Sequence, residues 1–397
     1  SYTATLLWGA LREFNRISKE AALDALIFNQ PLSALGIMLS PAAKKIPKLY
    51  TFHSSWPEEY EVKSNKKGLG FLARRWAEKK VLKNCRKVVT LSEYSKKRLL
   101  GIYPGLPLNV EIIAGGVDLE YFKPSDSKGV IRKKLGIPED RPMFLTVRRL
   151  EPRMGLENLI SAVKRVAERH KDVLMVIAGS GVLENSLKKM AKDLNLEKEI
   201  LFIGDIEDES LLTYYQAADF FILPTKTMEG FGLVTLEALA CGIPVLGTPV
   251  GGTVEILKKL DENLLFKGTS PSSMAGLICE FIGKRAAIYD LKEQYREFVK
   301  NNYSWDRSAS DYEKVILETR VNNIDRVKVL HVHTLPVVSG SGINTVLTME
   351  GLDKGRFEVE FACGPGGELI DEVKKRCLLY TSPSPRDRTR SRMPSSA

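Results

Sequence analysis

Two carboxylates stand eight positions apart in the stretch Glu229-Gly230-Phe231-Gly232-Leu233-Val234-Thr235-Leu236-Glu237. Glu229 lies in a loop and Glu237 on the helix that the following residues predict. The glycines between them leave the amides of residues 230–232 pointing outward at the helix start, where an anion is favoured. One carboxylate can hold the hydroxyls of a sugar, the other a ribose, with phosphate on the amides between. A glutamate among Leu236, Ala238 and Leu239 is costly to bury without a partner, which favours a functional reading. Earlier in the chain Arg148, Arg149 and Arg153 bring three guanidiniums within six residues. Just before a helix, such a run suits a bidentate clamp on a diphosphate; its plain alternative is a solvated basic loop. Gly179-Ser180-Gly181 follows an apolar run, and its missing side chains let backbone amides approach a ligand, although glycine also punctuates ordinary turns.

These residues need elements to position them, and the pattern supplies a parallel sheet. Short apolar runs at 142–147, 173–178, 200–203, 220–223 and 243–246 alternate with helical spacings, among them Leu156, Leu159, Ile160, Val163 and Val166. Apolar strands separated by amphipathic helices mean an α/β sheet covered on both faces. Ligands of such sheets sit at the carboxyl ends of the strands, where the arginine, glycine and glutamate loops fall. The first hundred residues repeat the style less completely: helix 2–19, strand 22–28, helix 31–45, strand 48–52, helix 68–84 and strand 87–91. Three strands are few for an independent twisted sheet. Near the other end, 327–332 reads as a strand, Ser339-Gly340-Ser341-Gly342 as a glycine loop, 343–352 as a helix and 357–361 as a strand. This β-loop-α-β opening reads either as the start of a second, truncated copy or as the strands missing from the first domain.

Composition sets the outer limits. At 397 residues the expectation is two or three domains. With 44% hydrophobic and 27% charged residues, disorder, collagen and coiled coil are excluded as global descriptions. No apolar run is long enough for a membrane span. The five cysteines, at 85, 241, 279, 363 and 377, form neither a disulfide framework nor a zinc signature, which fits a reducing, cytoplasmic setting. Lysine and arginine number 59 against 49 aspartates and glutamates, a net charge of +10. Most of that excess reads as solvated surface, and the remainder as attraction to acidic substrates or anionic lipid. No basic cluster interleaves with aromatics in a readable module, so nucleic acid is not an expected partner. The segment 377–397, with four arginines and no apolar face, reads as an unstructured tail resembling translated adapter sequence.

Together these motifs resemble the retaining glycosyltransferases of family four. The likeness rests on Glu229-Gly230-Phe231-Gly232 with Glu237, then Ala240-Cys241-Gly242-Ile243-Pro244-Val245, and on Arg149 with Gly155. It extends to Gly179-Ser180-Gly181, Phe202-Ile203-Gly204, Ala217-Ala218-Asp219, Gly115-Gly116-Val117-Asp118 and Tyr303-Ser304-Trp305. Residues 1–320 resemble such an enzyme without its first strands, and 327–376 resemble the family's amino-terminal start. The fold so implied is GT-B, two Rossmann-like doubly wound domains facing a central cleft. Its expected parts are an incomplete acceptor-side domain at 1–112, a donor domain at 113–283, crossover helices at 284–320 and the β-α-β segment at 327–376.

The resemblance also assigns roles. Glu229 would bind donor-sugar hydroxyls and Glu237 the ribose, while Arg149 would neutralise the leaving diphosphate. The family's lysine before the glycine matching Gly155 is replaced by Met154, so Arg153 is expected to supply the second positive charge. His53 matches the histidine that meets the donor sugar from the first domain. His331 and His333 match the end of the family's first strand, and Gly340 and Gly342 its glycine loop near diphosphate and acceptor. His170 reads as surface. The expected reaction moves a hexose from a UDP- or GDP-sugar to a glycan, lipid or small-molecule acceptor, with retention and with neither metal nor cofactor; no Asp-x-Asp triplet occurs in the chain. A nucleotide-sugar epimerase and a non-catalytic fragment with only the donor domain intact are the alternatives. A plain dehydrogenase is disfavoured, because no Gly-x-Gly-x-x-Gly fingerprint follows a strand. Peripheral contact with a membrane is left open by the basic excess alone.

Overall fold

The structure is a computed structural model that describes residues 2–64, 66–206, 208–319, 326–334, 340–364, 367–376 and 379–381. The chain forms two compact units, Gly116–Ser304 and a unit made of Ser1–Gly115 together with Trp305–Ala397. Elements are numbered in chain order.

The discontinuous unit is built on seven parallel strands in the order β12-β11-β10-β1-β2-β3-β4. They are β1 (Ala25–Phe28), β2 (Lys48–Phe52), β3 (Lys87–Thr90), β4 (Val110–Ile112), β10 (Val327–Val332), β11 (Phe357–Ala362) and β12 (Leu379–Thr381). β10 lies beside β1, pairing Ala25 with Val329 and Phe28 with Val332, so residues from the two ends of the chain share one sheet. Side chains alternate between faces along a strand. Leu26, Phe28, Tyr50, Phe52, Leu330 and Val332 form a core with Phe14 and Ile17 of α1 (Tyr2–Glu20) and Ile37 of α2 (Pro31–Met38). The intervening Ala25, Ile27, Leu49, Val89, Val327 and Val329 pack on Tyr312 and Ile316 of α15 (Trp305–Thr319). Burial on both faces explains why these strands read as unbroken apolar runs. The unit also contains α3 (Trp56–Ser64), α4 (Leu69–Lys83), α5 (Glu93–Ile102), α16 (Gly340–Gly351) and α17 (Glu368–Lys375).

The continuous unit carries five parallel strands in the order β7-β6-β5-β8-β9. These are β5 (Met143–Val147), β6 (Leu174–Ala178), β7 (Ile200–Gly204), β8 (Phe220–Leu223) and β9 (Val245–Gly247). Around them lie α6 (Lys128–Lys134), α7 (Leu156–Ala167), α8 (Glu184–Asp193), α9 (Asp208–Ala217), α10 (Leu233–Ala240), α11 (Thr253–Leu260), α12 (Pro271–Gly283), α13 (Arg285–Tyr289) and α14 (Lys292–Asn302). The fully buried Arg132 fastens α6 by donating to the carbonyls of Ala217 (2.8 Å), Glu139 (2.7 Å) and Arg141 (2.9 Å) and to Asp219 Oδ2 (2.7 Å). Burial alone would raise the Asp219 carboxyl, but Lys128 and Arg132 outweigh it and hold it below its usual range.

Several boundaries differ from those read in the sequence. The 284–320 stretch is not one element: α14 stays with the continuous unit, where Arg296 donates to the carbonyls of Leu119, Phe122 and Ala240. α15 instead packs on the other unit's sheet, and Arg86 donates to the Thr319 carbonyl at its end (2.7 Å). The first unit runs past residue 112 because Ile113 is buried and its amide donates to the Thr90 carbonyl (2.9 Å). The helix expected at 31–45 stops at Met38, and Ala42–Lys44 forms a separate single turn. The expected glycine loop at 340–342 is the first turn of α16. Within the tail expected to be unstructured, Leu379–Thr381 forms β12 on β11, and the rest of 377–397 lies outside the described residues.

Candidate functional site

In the continuous unit the loops after β5 and β8 meet. Arg148 continues the ladder beyond β5, its amide donating to the Ala178 carbonyl (2.9 Å), and Leu150 does the same to Ser180 (2.8 Å). The alternation of an extended strand therefore persists: Arg148 and Leu150 are buried and Arg149 is exposed. Arg148 Nη2 donates to Glu229 Oε2 at 2.5 Å and to Thr225 Oγ1 at 3.2 Å, while the Thr225 hydroxyl donates to the same Glu229 oxygen at 3.1 Å. All three side chains are buried. The Arg149 guanidinium has neither ion pair nor hydrogen bond among the described residues. The sequence reading put the arginine of this site at 149; the residue joined to Glu229 is its neighbour.

Arg153 is half-buried and donates from Nη1 to the Met228 carbonyl (3.0 Å), while its own carbonyl accepts from the Lys226 amide (2.9 Å). Its charge thus stands between the two loops. Met228, immediately before Glu229, holds φ +61°, a left-handed conformation unusual for a side-chain-bearing residue. Gly232 caps α10 at φ +89°, where a Cβ would come within 2.3 Å of Thr253 Oγ1. Phe231 is turned inward, edge-on to Tyr303 with ring centroids 6.0 Å apart. It packs in the core, and its carbonyl accepts from the Thr253 hydroxyl (3.2 Å).

Glu237 finds the partner that its apolar surroundings demand: the Tyr215 hydroxyl of α9 donates to Oε2 at 2.7 Å. Burial, with the neighbouring Glu237 carboxylate, pushes the Tyr215 phenol far above its ordinary range, so it remains a donor. Gly179 and Gly181 have a structural reason for lacking side chains. A Cβ would stand 2.0 Å from the Arg148 carbonyl at 179 and 2.5 Å from the Leu150 carbonyl at 181. Their bareness serves the close approach of the β5 loop that carries the arginines. A cavity of about 720 Å3 in this unit, lined by Lys128, Asp219, Cys241, Arg285 and Lys292, contains no residue of 148–155 or 224–232.

The other sequence-read residues belong to the discontinuous unit. His53, just after β2, contacts Asn29 Oδ1 through Nε2 (3.1 Å), and Thr345 of α16 donates to that same oxygen (3.0 Å). Burial, then the nearby His333, pushes His53 down to about 3, so it is neutral at physiological pH. His331 is buried and likewise lowered to about 3 by burial, with neither ring nitrogen hydrogen-bonded among the described residues. His333 lies past the end of β10 and lines an apolar cavity of about 370 Å3 with Trp8, Phe14, Ile37 and Val332. Gly340 is exposed and Gly342 buried in the first turn of α16. The candidate residues thus form two groups, one per unit: 148–155 with 225–237, and His53 with Asn29, His333 and α16. His170 stands at the end of the 156–167 helix, half-buried. Among the described residues no cluster of histidine, cysteine, aspartate and glutamate has the makings of a metal site.

Three participants escaped assignment from sequence. Arg148 lay in the arginine run without being singled out, Thr225 had no signal beyond its loop, and Tyr215 read as an ordinary core aromatic.

Against known families, residues 127–305 match glycosyl transferases group 1 and residues 2–121 match glycosyltransferase family 4. Each match takes in less than half of the chain. The two matched regions exclude 327–376, the segment that supplies β10 and β11. Among similar proteins, a GDP-mannose-dependent monoacylated alpha-(1-6)-phosphatidylinositol monomannoside mannosyltransferase of Corynebacterium glutamicum is 30% identical over 224 residues. That match takes in 54% of this chain and 58% of the relative, so the chain spans little more than half its length. A D-inositol 3-phosphate glycosyltransferase of the same species is 27% identical, over 71% of this chain and 69% of the relative. The fold of this chain resembles sucrose-phosphate synthase from Thermosynechococcus elongatus, with TM-score 0.67 and 24% identity over 78% of this chain and 76% of that one. It is also similar to Anabaena HepE in complex with UDP and glucose, with TM-score 0.65 and 18% identity over 77% and 81% of the two chains. These likenesses establish two parallel-sheet Rossmann-like domains of the GT-B type.

Proposed function

We propose that the chain transfers a hexose from a nucleoside-diphosphate sugar to an acceptor with retention at the anomeric carbon and without a metal ion. The observation that carries this reading is the buried Arg148–Glu229–Thr225 group, set where the loops after β5 and β8 meet and directly ahead of the glycine-capped α10. Arg148 and Thr225 hydrogen-bond Glu229 Oε2 and so orient the side chain whose oxygens would accept from sugar hydroxyls. Arg149, Arg153 and the amides of 230–232 gather positive potential where a departing diphosphate would build negative charge. Preorganised donors of that kind do what a metal does at other diphosphate sites. Glu237, held by Tyr215, would take the ribose hydroxyls. His53, neutral and tied to Asn29, would hydrogen-bond the sugar or acceptor rather than bind an anion.

In balance, the bond from the anomeric carbon to the diphosphate breaks and a bond to the acceptor oxygen forms on the same face. The acceptor proton passes to the departing phosphate oxygen. A guanosine or uridine donor is supported by the GDP-mannose dependence named for one relative and the UDP bound to a similar structure. The acceptor is a glycan, a lipid or a small molecule such as an inositol phosphate, the classes those names span.

The reading is tested by incubating the protein with GDP-mannose, UDP-glucose and UDP-N-acetylglucosamine, with and without acceptors, in a chelator. Release of nucleoside diphosphate with one donor, unaffected by chelation and giving an α-linked product by NMR, is the expected outcome. A β-linked product, or activity that chelation abolishes, contradicts it.

A further inference from the structure

We propose that the outward face of α4 docks on the surface of an anionic lipid bilayer. At 3.6 residues per turn, Leu69, Leu72 and Trp76 line one stripe of this helix, and Lys79, Lys80 and Lys83 continue it. The apolar half of the stripe is strongly exposed: Leu69 by 86%, Leu72 by 58% and Trp76 by 64%. The opposite face already has its work, with Ala77, Glu78, Val81 and Leu82 buried against the unit's core. The outward side chains therefore contribute nothing to that packing, and large apolar groups so exposed call for a partner.

Charge identifies the partner. Between residues 66 and 83 the sole carboxylate is Glu78, and it is buried, accepting from the Tyr103 hydroxyl (2.7 Å) and the Trp56 amide (3.1 Å). Lys66, Lys79, Lys80 and Lys83 are exposed and have no ion pair among the described residues. A second copy of the chain would bring more lysines against a helix whose one carboxylate is buried. An anionic bilayer answers both halves of the stripe. Leucine and tryptophan enter the boundary between headgroups and acyl chains, and lysines on flexible stems reach the phosphates. Arg74 is not part of this set, because it stacks on the Tyr60 ring at 4.0 Å. The inference is independent of the donor chemistry proposed above, since it concerns none of the residues assigned there.

Co-sedimentation of the full chain with phosphatidylcholine vesicles, with and without phosphatidylglycerol, tests it. The protein should sediment with the phosphatidylglycerol vesicles alone and be released by salt. Replacing Lys79→Ser, Lys80→Ser and Lys83→Ser together should weaken binding by about fivefold per lysine, roughly a hundredfold in all. Leu69→Ser, Leu72→Ser and Trp76→Ser together should weaken it at least about tenfold. Because these side chains are exposed, thermal unfolding of both variants should match the parent. Equal binding to both vesicle types, no binding to either, or unchanged binding by either variant would overturn the proposal. So would a concentration-dependent dimer abolished by the apolar replacements.

Discussion

At the scale of single residues, the chemistry proposed for the continuous unit depends on a choice between neighbours. Strand alternation sends Arg148 inward to Glu229 and leaves Arg149 outside. The two should behave differently on substitution. Arg148→Met strands the buried Glu229 charge and should cost about 3–5 kcal/mol of stability by urea unfolding. Adding Glu229→Gln should recover most of that, since the double variant leaves no isolated charge; additive losses would show that the pair is not coupled. A second residue-scale prediction concerns His331, buried and neutral. Its lowered value means that the unfolded chain binds the proton better. Its contribution is present above pH 6.5 and is lost as pH falls toward 3, at a limiting slope of about 1.4 kcal/mol per unit. Glu78, raised by burial to about 7, acts in the opposite sense: its contribution is full below 4.5 and is lost as pH rises through 7. Acid unfolding of His331→Leu should therefore be shallower than that of the parent between pH 6 and 4, and an unchanged profile would contradict this assignment.

Elements set what those residues can reach, and here sequence and structure part in an instructive way. The five strands of the continuous unit were legible because each is buried on both faces and reads as an apolar run between helical spacings. The loops carrying Arg153, Glu229 and Gly232 were legible for the same reason: they follow strand ends. Local pattern could not choose between Arg148 and Arg149, nor reveal that Tyr215 meets Glu237 from a separate helix. Both facts are set by tertiary contact over 81 and 22 positions. Gly340 and Gly342 read as a loop because glycine weakens a helix, yet the turn begins with them. The placement of β10 beside β1 joins residues about three hundred positions apart, which periodicity cannot report. That placement has a cost if undone. Val327, Val329, Leu330 and Val332 are buried; at about 1.5–3 kcal/mol each, their loss is comparable to the whole stability of a domain, about 5–15 kcal/mol. Ending the chain at residue 319 should leave residues 1–115 rapidly degraded in limited proteolysis while 116–304 survives. Equal resistance of the two would contradict the energetic role of β10.

Across the whole molecule, the candidate residues are distributed over two units that fold around separate sheets. The family resemblance was legible in motifs scattered from residue 115 to 305, because they fall in the loops at the ends of parallel strands, where ligands of such sheets sit. The net charge of +10 was legible as a number but not as a surface. Only the fold reveals that part of it stands on α4 without an ion pair among the described residues, beside exposed leucine and tryptophan. The most direct test of the central claim uses Arg149, whose exposed guanidinium has no partner to lose among the described residues. The rate of nucleoside diphosphate release by Arg149→Ala should fall by about 10²–10³-fold, the usual effect of removing one donor to a developing anion, with the thermal midpoint unchanged. Turnover near that of the parent would mean that the diphosphate is not gripped at this loop.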